Sequence, residues 1–177
     1  MAGSERIRRG VGKPFNSGTF GIASLLLILA SGLAWAGPPN PTPSDNDLNT
    51  AGGSRALYNN TTGEYNTGFG YEALGGNTTG KYNTASGSLA LLNNSTGDNN
   101  TASGGGALYL NYTGNDNTAS GVSALGGNTT GSYNTASGAG ALFSSTTGSH
   151  NTASGGNSLA NNTNADYNTA FGYHGLL

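Results

Sequence analysis

The side chains able to do chemistry are few and scattered. The 177-residue chain carries two histidines, His150 and His174, and no cysteine. Neither histidine has a serine or an aspartate recurring beside it as a nucleophile and its base would require. His150 falls in a variable slot that elsewhere holds Tyr, Asn or Asp. Without cysteine there are no disulfide frameworks and no thiolate metal sites. Asp98-Asn99-Asn100 and Asn115-Asp116-Asn117 hold oxygen ligands of the kind calcium takes. The nonapeptide spacing of calcium-binding β-rolls is absent, and Asx residues in turns account for both triplets. Asn-x-Thr sequons such as Asn60-Thr61-Thr62 and Asn77-Thr78-Thr79 follow from a repeat rather than marking glycosylation. The expectation is a non-enzymatic chain with no catalytic residue, no metal and no cofactor.

What the sequence holds in place of a site is a period. Asn-Thr recurs at Asn49, Asn66, Asn83, Asn100, Asn117, Asn134, Asn151 and Asn168, always 17 residues apart. With Asn as position zero, position one is always Thr, including Thr67, Thr84 and Thr101. Position four is always Gly, including Gly70, Gly87 and Gly104. Position eight is always Leu: Leu57, Leu74, Leu91, Leu108, Leu125, Leu142, Leu159 and Leu176. Position seven is Ala except at Ser158 and Gly175, and position fourteen is Gly except at Ala165. No insertion breaks the register.

These residues need a scaffold that places equivalents on one another. A 17-residue period is too short for helix-pair repeats, which need upwards of about 30 residues. Gly and Asn are also poor inside helices. The period predicts an all-β fold, a β-solenoid or β-roll of about eight 17-residue coils over residues 49–177. Glycines at positions four and fourteen predict two turns per coil. Between them two extended runs are expected, one as in Tyr82-Asn83-Thr84-Ala85-Ser86 and one as in Ala90-Leu91-Leu92-Asn93. Stacking at ~4.8 Å would build an Asn ladder from Asn66, Asn83, Asn100, Asn117, Asn134 and Asn151. It would also build a Leu spine, facing either the coil interior or a neighbouring chain. One such spine is thin against the entropy of ordering the repeats, so self-association is expected.

Ahead of the repeat, residues 1–36 read as a secretory signal. Arg6, Arg8, Arg9 and Lys13 are its basic start, residues 22–33 its apolar run, and Ala34-Trp35-Ala36 its small-x-small cleavage pattern. An apolar run this short crosses a bilayer poorly, so cleavage rather than anchorage is expected, leaving no membrane span. Residues 37–48 are Pro-rich and read as a linker or arm. Beyond the cut, Arg55 and Lys81 face seven acidic residues, a net −5. That balance offers nothing to nucleic acid or to anionic lipid.

The repeat resembles the Asn-Thr-Ala-x-Gly-Tyr-x-Ala-Leu repeats of bacterial and phage fibre proteins. Phe69-Gly70-Tyr71-Glu72-Ala73-Leu74 and Phe171-Gly172-Tyr173 carry the likeness best. It is also similar to the β-roll heads of trimeric autotransporter adhesins. The resemblance covers residues 49–177 and implies a left-handed β-roll, often trimeric, serving as a head or stalk that binds surfaces. Ser86, Ser103, Ser120, Ser137 and Ser154 depart from it, standing where such families place larger apolar residues. No membrane barrel or chaperone segment follows Asn168 in this sequence, so release, capture by a partner or polymerisation is expected in place of self-anchoring.

The functional expectation is a secreted structural or adhesive rod or fibre segment, associating with itself as a trimer or an end-to-end polymer. A surface or glycan ligand is compatible with it. The alternative is a soluble ice- or glycan-binding solenoid. Its Thr column at position one is clean, but position three is mostly Ser, and the second Thr column is broken by Tyr112 and Asn164. Tyr65, Tyr82, Tyr133 and Tyr167 at position sixteen could stack on sugars or on one another.

Overall fold

The computed structural model describes residues 48–176. The secretory signal and all of the Pro-rich arm except Leu48 lie outside the described residues. Eight strands follow one another at the repeat interval: β1 (Thr50–Gly52), β2 (Thr67–Phe69), β3 (Thr84–Ser86), β4 (Thr101–Ser103), β5 (Thr118–Ser120), β6 (Thr135–Ser137), β7 (Thr152–Ser154) and β8 (Thr169–Phe171). They form one parallel sheet in chain order. Its register sets Thr on Thr and, through the central rungs, Ala on Ala and Ser on Ser. The result is an all-β solenoid of about seven turns.

Each strand is short because only Thr-Ala-Ser alternates. Thr and Ser point outward and Ala inward, as strand geometry requires. The second expected extended run is not a strand. Residues 90–93 lie in a turn, with Leu91 at φ 51°. The cause is visible at Ala90 and Leu91, which are adjacent and both fully buried. A strand sends neighbouring side chains to opposite faces. Left-handed backbone at Leu rotates the second side chain back inside. The run still bonds upward, Leu74 N–H donating to the Ala90 carbonyl at 3.0 Å.

Left-handed residues recur throughout the coil, at positions six, eight and sixteen. Glu72, Leu74 and Tyr82 have φ of 54°, 54° and 57°. Non-glycine residues adopt this region at a cost of order 1–2 kcal/mol each, so the stacked coils hold them there. The two glycine columns answer different needs. At position four, Gly70, Gly87 and Gly104 have φ of 134°, 139° and 135°, a conformation for glycine alone. At position fourteen φ is ordinary, and the need is closeness. A Cβ on Gly97 would stand 2.4 Å from the Gly114 carbonyl oxygen and 2.5 Å from Asn94 Oδ1.

The core is a set of columns. Leu57, Leu74, Leu91, Leu108, Leu125 and Leu142 are wholly buried and Leu159 nearly so. The Leu spine therefore faces the coil interior. Ala at positions two and seven packs against it, as with Ala85 and Ala90. Alanine on both walls lets the coil close around a single leucine.

Candidate functional site

The interior carries amide chemistry alongside the apolar columns. Asn66, Asn83, Asn100, Asn117, Asn134 and Asn151 are fully buried. Each Oδ1 accepts from the backbone N–H of the next Asn up the stack, as in Asn83 N–H to Asn66 Oδ1 at 2.9 Å and Asn134 N–H to Asn117 Oδ1 at 3.0 Å. Each Nδ2 donates to the carbonyl of the position-fourteen residue, as in Asn83 to Gly97 at 2.8 Å. The expected Asn ladder thus runs mainly between side chain and backbone, with direct amide-to-amide contacts at Asn100 and Asn117.

Sequence reading missed a second buried amide column at position eleven. Asn77, Asn94, Asn111 and Asn128 each donate from Nδ2 to the Oδ1 of the Asn one coil earlier, at 2.7–2.8 Å. Each also donates to the position-fourteen carbonyl three residues on, as in Asn94 to Gly97 at 2.9 Å. The Gly97 carbonyl therefore receives two amides, from Asn83 and Asn94. Both its lone pairs are used, which is full satisfaction for a buried acceptor. At the level of sequence these Asn stood out only as the first residues of sequons such as Asn77-Thr78-Thr79.

A third column at position fifteen was also missed. Asp98 Oδ1 accepts from Lys81 N–H, Asn115 Oδ1 from Asp98 N–H and Ser132 Oγ from Asn115 N–H. The ladder continues through Ser149 and Asp166. These contacts give both acidic triplets a role in coil stacking. Among the described residues, no three His, Asp or Glu side chains come close enough together to share a metal ion.

Outside, the solenoid presents three distinct surfaces. The sheet face is a two-column array of exposed hydroxyls, Thr84, Thr101, Thr118 and Thr135 beside Ser86, Ser103, Ser120 and Ser137. Among the described residues these hydroxyls make no hydrogen bond to the protein. The position-twelve threonines differ: Thr78, Thr129 and Thr146 each donate to a carbonyl of the next coil. Thr67 is half-buried next to the exposed Phe69, which ends the Ser column.

The second surface is an aromatic column at position sixteen. Tyr65 stacks on Tyr82 with centroids 4.9 Å apart. Tyr133, His150 and Tyr167 stack in turn at 4.9 and 4.8 Å. Asn99 and Asp116 interrupt the column. The third surface is an apolar groove over Gly126 and Gly127, walled by Tyr109, Leu110 and Phe143. Charge on the described coils is confined to a few groups. Arg55 pairs with Glu72 at 2.9 Å and Lys81 with Glu64 at 3.3 Å. The hydrogen bond from Arg55, reinforced by one from Tyr71, holds the Glu72 carboxyl below the usual carboxylate range.

No protein-family model, curated protein or solved structure matches this chain.

Proposed function

We propose that this protein is a secreted structural or adhesive component, whose repeat region serves as a rod segment and associates with further copies of itself. The observation that carries the reading is the unbroken stack. Seven successive strand pairs keep one register, and the buried Asn columns join coil to coil. Seven steps of ~4.8 Å give a rod of roughly 34 Å. Such a molecule offers length and repeated surface rather than a reaction centre. The basic and apolar start of the chain, followed by Ala34-Trp35-Ala36, supports export. The thin Leu and Ala core supports self-association, because side-by-side or end-to-end contact buries further surface.

The test is to express the full chain with its leader in a bacterial host. The secreted product is then measured by N-terminal sequencing, circular dichroism and light scattering after size exclusion. A β-rich trimer or polymer beginning at Gly37 is expected. A cytoplasmic product, or an exported one that is monomeric and unfolded, refutes the proposal.

A second reading draws on the sheet face. Its Thr and Ser hydroxyls are uncharged, regularly spaced and free of protein partners, which favours ordered water or a neutral polysaccharide as ligand. A folded monomer that shows thermal hysteresis or is retained on a polysaccharide resin would favour that reading over the rod.

A further inference from the structure

We infer that the solenoid contains a built-in seam across which the coils from residue 134 onward separate before the rest unfolds. The seam begins where position eleven changes from Asn to Ser. Asn128 is fully buried and its Oδ1 has no hydrogen-bond partner. Ser145, one coil later, is also fully buried, and its Oγ has none. In earlier coils the incoming Asn supplies the donor, as Asn111 does for Asn94 Oδ1 at 2.8 Å. Serine is too short to reach. The loss is felt on both sides, because Asn162 donates only to the Ala165 carbonyl and has no amide beneath it to bond. The Gly148 carbonyl likewise receives one amide, from Asn134, where Gly97 receives two.

A further break lies in the next coil. Ser158 replaces the position-seven Ala of the preceding coils, and its buried Oγ is also without a partner. All three unpaired buried side-chain atoms among the described residues thus sit at two successive coil junctions. Burying an unpaired polar atom is destabilising, whereas a paired ladder bond is favourable. In a stack where each coil touches only its neighbours, the weakest junction decides where opening starts.

The seam is tested by amide hydrogen exchange on the full chain, read at equivalent ladder amides. In the native protein, Leu125 and Leu142 N–H, which donate across the two weakened junctions to the Ala141 and Ser158 carbonyls, are expected to exchange at least tenfold faster than Leu74 and Leu91 N–H. The double variant Ser145→Asn, Ser158→Ala restores the missing donor and removes the orphaned hydroxyl. It should slow exchange at Leu125 and Leu142 on the order of tenfold, since one orphaned buried group carries about that weight. The variant Asn111→Ser transplants the break and should speed exchange at Leu91 and Leu108, whose N–H groups cross the two junctions it weakens, by a similar factor. Serine already occupies this column at Ser145, so the variant is expected to fold, and circular dichroism checks that it does. Equal native protection along the stack overturns the inference. So does a double variant with unchanged exchange, because the C-terminal coils would then fray only for lying at an end.

Discussion

Replacing Gly97 by Ala should be among the most damaging single-methyl changes this protein can undergo, although the backbone there suits any residue. The added Cβ would lie 2.4 Å from the Gly114 carbonyl oxygen, 2.5 Å from Asn94 Oδ1 and 2.9 Å from Asn111 Nδ2. Restoring even a 3.0 Å contact to that oxygen requires the two coils to part by 0.6 Å. The Ser95 and Thr96 amides donate across this junction at 3.0 and 3.1 Å, and the same displacement stretches both beyond useful hydrogen-bond length. Two lost bonds at about 1 kcal/mol each, with about 1–3 kcal/mol of residual overlap, give a destabilisation of about 3–5 kcal/mol. For a folded unit of this size that lowers Tm by roughly 10–20 °C. The assay is thermal unfolding followed by circular dichroism, with Ala165→Gly as the control. Ala165 is exposed, and no described coil lies over it, so the control should shift stability by no more than about 1 kcal/mol, the ordinary backbone cost of a glycine. A Gly97→Ala protein melting within about 3 °C of the native one would refute coil spacing as the reason for the position-fourteen glycines.

Two further outcomes follow from the same geometry. Ser123→Gly should raise stability by up to about 1 kcal/mol in denaturant titration, because glycine relieves the left-handed strain. Ser123 has φ 56°, and Gly106 and Gly140 already fill the same column at φ 64° and 67°. The Arg55–Glu72 pair should impose an acid-side dependence. The folded carboxyl lies below its unfolded value, so the contribution of the pair is complete above the unfolded range near ~4.3 and fades as pH falls through the folded value. Native and Arg55→Gln proteins should therefore differ in stability at neutral pH and converge in strong acid, and a difference that grows on acidification would contradict the pairing.

The parts of the fold legible from sequence were those in which one residue type recurs at one spacing. Leu at position eight has a single solution in a stack, an apolar column, and Asn-Thr at zero and one sets the phase of the strand. The second run was misread because Ala90 and Leu91 are both apolar and such runs suggest a strand. Only the backbone reveals that two adjacent side chains are turned to the same side, with Leu91 at φ 51°. The position-eleven column was hidden differently. Asn94 makes a local bond to Gly97, three residues on, the kind of bond a turn Asn makes. It bonds in the same place to Asn77 of the preceding coil, and nothing in a local motif distinguishes the two.

Position fifteen was the least legible. Asp98, Asn115, Ser132, Ser149 and Asp166 span three residue types, with in common only an oxygen that can accept an amide hydrogen one coil away. Identity-based repeat reading cannot detect a column defined by a single function. The exceptions in the visible columns are informative for the same reason. Serine at 145 keeps a hydroxyl but loses the reach of an amide, and serine at 158 adds a hydroxyl where nothing accepts it. In a ladder, a residue is correct or not according to its neighbours seventeen places away, so the cost of each departure is set at the junctions it faces rather than within its own coil.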